Sequence, residues 1–408
     1  MKRRRFLKQT ALVGASGLIS VGSHGWAWRG AAQAADPVQT PRLIVIFLRG
    51  AADGLNIVVP YQESRYYEAR PTIAIAKPGE PDGVLDLDGQ FGLHPALDAL
   101  MPEWQAGHLA FVHAAGSPVL TRSHFQAQDY METGTPGEIS TPDGWLNRLL
   151  AALPGGTPTQ AVNIGATLPL IFEGSESVAS LAVGGAGSRP LAIDQPQTQT
   201  AFDRLYARDD RLSQVYREGR AARDVLLREL NKESMEASRG ASAPSRFANS
   251  ARYLAQLMTG DAATQVAFME LGQWDTHVNE RITLNRSLTS LGNGLATLAQ
   301  ALGPIYQNTT VVVLSEFGRT VAENGNGGTE HGYGNVLWML GGGLRGGKVY
   351  GDWPGLDASE PGQSRDLAIT TDFRDVLISL LAQQFSLNSA QLAQIFPNHQ
   401  PQTTLQLV

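Results

Sequence analysis

Asp275 and His277 stand two residues apart in the segment Gly272-Gln-Trp-Asp-Thr-His277, directly after an apolar run over residues 265–271. Side chains two apart in extended backbone point the same way, so this pair can reach one ion. Glu316 opens a second such segment, Ser315-Glu-Phe-Gly-Arg-Thr320, directly after the apolar run 309–314. Asp53 follows a third run in Arg49-Gly-Ala-Ala-Asp53-Gly54, and His331 lies in the glycine-rich Thr329-Glu-His-Gly-Tyr-Gly334. The chain has no cysteine, which removes thiolate ligands, disulfides and a cysteine nucleophile. Carboxylate and imidazole alone suit zinc, manganese, magnesium or calcium, and histidine favours the first two.

These groups need elements that deliver them to one place. Residues 42–48 form a continuous β-prone run with no polar alternation, the mark of a central strand buried on both faces. A helical pattern over 95–105 followed by a strand over 108–113 gives the alternation of a parallel sheet, and runs at 265–271, 309–314 and 335–340 continue it. Ligands in such sheets collect beyond the carboxyl ends of the strands, where Asp53, Asp275, His277 and Glu316 fall. Ser123 or Thr121 caps a predicted helix that starts at the segment Thr121-Arg-Ser-His124, and a helix start favours anions. Further helices are predicted over 285–302 and 372–381. Leu205, Leu212, Val215, Tyr216, Val225 and Leu230 predict amphipathic helices in a charged insertion at about 203–245, with a flexible connector over 238–245.

The N-terminus bounds the setting. Lys2-Arg-Arg-Arg-Phe-Leu-Lys8 precedes a short Gly- and Ala-rich apolar stretch, and Ala32-Gln-Ala34 supplies small residues for cleavage. This predicts a twin-arginine signal over 1–34, too short and too glycine-rich for a comfortable membrane span, and a single α/β domain over 35–408. The expected partner is the twin-arginine export machinery and the expected location periplasmic or extracellular, with no stable membrane insertion after processing. The net charge of −6 includes that basic segment, so the remainder is more acidic still, which disfavours nucleic acid as a partner.

Five segments carry a resemblance: Leu48-Arg-Gly-Ala-Ala-Asp-Gly-Leu-Asn56, Arg122-Ser-His-Phe-Gln-Ala-Gln-Asp129, Trp274-Asp-Thr-His277, Ser315-Glu-Phe-Gly-Arg-Thr320 and His331-Gly-Tyr-Gly-Asn335. In them the chain resembles the exported family catalogued as domain of unknown function 1501, placed in the alkaline phosphatase and sulfatase superfamily. The resemblance implies a three-layer α/β sandwich and one or two metals held by Asp53, Asp275, His277, Glu316 and His331. It also implies a metal-activated nucleophile at Ser123, with Arg122 or Arg319 stabilising an anionic transition state. The chain departs from the superfamily at Glu316-Phe317, where phosphatases carry Asp-His. One imidazole ligand is thereby lost, and His124 is placed to substitute for it.

Each assignment has a structural alternative. Asp53 could cap a turn, Ser123 a helix, and Glu316 could pair with Arg319, while His277 and His331 could be satisfied loop histidines. His94, His108 and His113 read as structural. Two classes of function follow. One is an exported metal-dependent hydrolase of phosphate or sulfate esters, acting on a small-molecule or glycan ester with a divalent metal, zinc or manganese. The other is a non-catalytic periplasmic binding or assembly protein that keeps the fold.

Overall fold

The protein is described from a computed structural model, which covers residues 38–408 except 139–140, 166, 182–195, 222–245, 261–263 and 357–364. The expected signal over 1–34 and the connector over 238–245 lie outside the described residues.

Nine strands form the main sheet: β1 (Arg42–Leu48), β2 (Leu109–Gly116), β3 (Ala161–Ile164), β4 (Ala179–Ser180), β5 (Val266–Leu271), β6 (Thr309–Ser315), β7 (Asn335–Leu340), β8 (Lys348–Tyr350) and β9 (Thr371–Asp372). Their spatial order is β8-β2-β7-β6-β1-β5-β3-β4, with β9 beside β2. Only β7 runs against its neighbours, β2 and β6; the other named pairs are parallel. The apolar run at 335–340 signals a buried strand, but nothing in its composition encodes direction.

Strand β1 shows why two layers of helices are needed. Ile44, Ile46 and Leu48 enter one core, and Leu43, Val45 and Phe47 enter another on the opposite face. The helices α1 (His124–Thr133), α2 (Trp145–Ala152), α3 (Arg246–Thr259), α4 (Glu280–Leu302) and α5 (Phe373–Gln384) divide between those faces. Leu254 of α3 and Leu288, Leu291 and Leu295 of α4 cover the first. Trp145 and Leu149 of α2 and Val376 and Leu380 of α5 cover the second. Each fully buried Leu or Val side chain contributes about 1.5–3 kcal/mol, so both layers are well anchored. The expected three-layer α/β class, with a mostly parallel sheet, is the observed one.

Of the charged insertion, a helix over Pro196–Leu205 and a helical stretch over 211–221 are described. Helix α5 starts where Asp372 predicts it, the Asp372 carboxylate accepting a hydrogen bond from Arg374 N. Among the described residues, no helix is long and apolar enough to cross a membrane.

Candidate metal centre

The central strands β5, β1 and β6 end level with one another, since Leu48 pairs with both Leu271 and Ser315. Their next residues therefore emerge onto one platform. Gly50 turns the chain at φ 118°, and a Cβ there would lie 2.6 Å from Asp275 N, so the approach of the Asp275 loop requires glycine. From the end of β2 the chain crosses to the N-terminus of α1, which brings in His124. A hairpin of Arg319–Glu323 with Thr329–His331 returns His331 over the same edge.

Three imidazoles and one carboxylate meet there. His331 Nε2 lies 3.0 Å from His124 Nε2 and 3.1 Å from His277 Nε2. Asp275 Oδ1 lies 2.9 Å from His277 Nε2 and 3.4 Å from His331 Nε2, and Asp275 Oδ2 lies 3.7 Å from His124 Nε2. The opposite nitrogen of each ring faces an oxygen: His124 Nδ1 to Glu316 Oε1 at 2.8 Å, His277 Nδ1 to Glu330 Oε2 at 3.2 Å, and His331 Nδ1 to the carbonyl of Arg122 at 3.0 Å. A carbonyl or ionised carboxylate only accepts, so Nδ1 of His124 and of His331 carries the hydrogen and their Nε2, in a neutral ring, presents a lone pair, whereas His277 faces a carboxylate at both nitrogens, Glu330 at Nδ1 and Asp275 at Nε2.

Lone pairs and a carboxylate facing one another repel unless something positive sits among them. One donor atom each from His124, Asp275 and His331 lies within 4.8 Å of the others, a set that one divalent cation can gather, and His277 Nε2 lies beside it, 3.1 Å from His331 Nε2. The donor set therefore fits a divalent cation. The cluster is open on one side, with the Asp275 side chain 47% exposed.

Neighbouring groups set the charges of the cluster. Burial opposes ionisation of Asp275, but the hydrogen bond and charge of Arg319 outweigh it and hold the carboxyl below its usual range. Burial likewise opposes ionisation of Glu316, and hydrogen bonds led by His124 and Gln128 overcome it. The hydrogen bond from Asn324 is the main cause of the lowered Glu330. The contact with Glu316 raises His124, while burial lowers His331.

Several expected roles fall elsewhere. Asp53, expected as a ligand, is fully buried and faces away from the cluster into Arg70, which donates Nη1 to Oδ2 at 2.5 Å and Nη2 to Oδ1 at 3.0 Å. Arg70 also donates to the carbonyls of Val321 and Thr320, each at 2.8 Å. Buried Glu280 joins this pair, accepting from Asn56 Nδ2 and Thr329 Oγ1 and sharing a hydrogen bond with Asp53. Burial first and the Asp53 charge second push Glu280 well above the carboxylate range.

Arg319, expected to stabilise a transition state, has no exposed side-chain surface. It donates to the carbonyls of Ala51, Thr329, Gly50 and Trp274 and to Asp275. It therefore anchors the platform, and its partner is Asp275 in place of Glu316. Arg122 is more open, but its Nε donates to the His331 carbonyl, its Nη2 to Asp366, and its guanidinium lies 4.5 Å from the Tyr333 ring centroid. Ser123 occupies the N-cap position of α1 without a side-chain cap bond, and its hydroxyl has no hydrogen-bond partner among the described residues. His94 and His113 are buried in backbone hydrogen bonds, and His108 faces Glu103.

The residue types alone did not single out Glu330, Gln128, Arg70 or Glu280. Gln128 had a usable signal, since it lies four residues after His124 on one helix face. Glu330 adjoins His331 in sequence, whereas the capture of Asp53 by Arg70 leaves no local mark.

Solved structures show distant likeness. One, solved as i-CgsB in complex with a neocarrahexaose, is 12% identical at TM-score 0.38, covering 87% of this chain and 74% of that one. The C-terminal periplasmic domain of EcEptC from Escherichia coli, in complex with Zn, is 11% identical at TM-score 0.34, covering 74% and 73%. A protein in the alkaline phosphatase superfamily from Vibrio parahaemolyticus is 11% identical at TM-score 0.38, covering 94% and 75%. No curated protein matches the chain at a significant level. At the level of sequence the assignment is direct: the family model described as "Protein of unknown function (DUF1501)" matches residues 40–396, and the chain belongs to that family.

Proposed function

We propose that the protein is an exported, metal-dependent hydrolase of phosphate or sulfate esters whose divalent cation, zinc or manganese, is held by His124, Asp275, His277 and His331. The observation that carries this reading is the convergence of His124 Nε2, His331 Nε2 and the Asp275 carboxylate, with His277 Nε2 beside them. A cation bound there supplies Lewis-acid polarisation of an ester oxygen on the open side. Ser123, next to His124 and with an uncommitted hydroxyl, is the nucleophile in this reading: its Oγ bonds to the phosphorus or sulfur of a small-molecule or glycan ester as the ester's alcohol leaves with the serine proton, and water then hydrolyses the serine ester to release phosphate or sulfate. Arg122 holds the His331 backbone and so steadies one ligand while lining the approach. Export by the twin-arginine route belongs to the same proposal and rests on residues 2–8 and 32–34.

A binding or assembly protein is the second reading, and one observation favours it. Among the described residues, both guanidiniums at the site are already committed, Arg319 to four carbonyls and Asp275, and Arg122 to a carbonyl and Asp366. Elemental analysis of protein purified after export separates the readings. The hydrolase requires about one equivalent of metal, turnover of aryl phosphate or sulfate esters, and loss of that turnover in Ser123→Ala with metal content retained. Metal without turnover leaves the binding reading, and absence of metal removes the centre altogether.

A further inference from the structure

Glu316 is the carboxylate least able to act as a ligand, because its oxygens are already occupied. Its Oε1 accepts from Gly50 N at 2.9 Å, from Gln128 Nε2 at 2.9 Å and from His124 Nδ1 at 2.8 Å. Its Oε2 lies 2.9 Å from Ser315 Oγ, whose single hydroxyl hydrogen is shared with the Leu48 carbonyl at 2.6 Å, and the side chain has no exposed surface. The directions of these bonds are set from outside. Arg49 can only donate, and its Nη1 lies 2.9 Å from Gln128 Oε1, so the amide group of Gln128 must turn its NH2 toward Glu316. Arg49 is itself fixed by Glu132 and Glu270. Oε1 of Glu316 thus sits among three donors, and His124 Nδ1 is one of them.

Resting on the metal-centre reading above, we propose that Glu316 is a positioning residue, not a ligand: it fixes His124 in the tautomer that offers Nε2 to the ion. Glu330 does the same for His277, and the Arg122 carbonyl for His331. Phe317 supports the arrangement sterically, with its ring centroid 5.0 Å from those of both His124 and His331. The strand end at Glu316-Phe317 then supplies no ligand. It converts that strand end into the frame that aims imidazoles contributed by other segments.

A double-mutant cycle tests this, using Zn2+ titration into chelator-stripped protein. Glu316→Gln is nearly isosteric but removes the charge that holds the His124 Nδ1 hydrogen, and loss of an orienting carboxylate lowers metal affinity about 10–100-fold. Because Glu316 acts only through His124, the same substitution in a His124→Ala background is expected to cost nothing further. An equal loss in both backgrounds means direct ligation and overturns the proposal, as does unchanged affinity in the single variant. Glu330→Gln with His277→Ala repeats the cycle at a carboxylate exposed enough to leave folding intact. Co2+ bound to Glu316→Gln should keep the wild-type ligand-field band positions, and a changed coordination number would contradict the assignment. If wild-type protein takes up no zinc, the metal-centre reading fails and this one with it, whereas additive losses overturn only the positioning role.

Discussion

Asp53, Glu280 and Arg70 place two carboxyl groups and one guanidinium in a site with no solvent access. One guanidinium balances one negative charge, so the second carboxyl keeps its proton, and Glu280 is the one raised. Removing the cation by Arg70→Met strands a buried charge and is expected to cost about 3–5 kcal/mol in urea unfolding. Glu280→Gln behaves differently. A carboxyl raised in the folded state contributes stability below its unfolded value of about 4.5, and that stability is lost as pH rises. The glutamine variant should therefore gain on wild type as pH rises above about 4.5, by at most about 1.4 kcal/mol per pH unit. A difference independent of pH would show that Glu280 does not hold the proton. At this scale the facing of Asp275 and His277 toward one point was readable from their spacing after a strand, whereas His124 entered only through the family resemblance. Asp53 was misplaced because burial against Arg70 is decided by packing between chain segments, which residue type does not report.

Helix α4 follows directly from the loop bearing Asp275 and His277, so its seating governs theirs. It crosses α3 closely at Gly294, where an added Cβ would overlap the ring of Phe247. Gly294→Ala gains up to about 1 kcal/mol of helix propensity but overpacks this crossing, at a cost of about 1–3 kcal/mol. A lowered urea midpoint is the expected result, and a raised one would show that Phe247 moves aside freely. The buried parallel strands and the start of α5 were readable from apolar runs and a capping aspartate. The direction of β7 was not, because pairing partners are chosen by the rest of the sheet, while the glycine-rich segment expected to carry His331 back does so as a short strand.

Across the whole molecule, the proposed ligands join the two cores through the carboxyl edge of the sheet. An ion present at about 100 times its dissociation constant adds about 2.7 kcal/mol to the folded state. Chelation should therefore lower the melting temperature by several degrees and zinc should restore it. Unchanged melting in chelator would remove the ion from the stability of the fold.

His124 and His331 are 207 residues apart in sequence. No local piece of the chain contains both, and a chain whose Arg319–His331 hairpin has not docked lacks His331 at the site. Tight metal capture is consequently a late event, and its rate records when topology is complete. Zinc uptake during refolding should lag behind sheet formation and coincide with closure of the last native contacts.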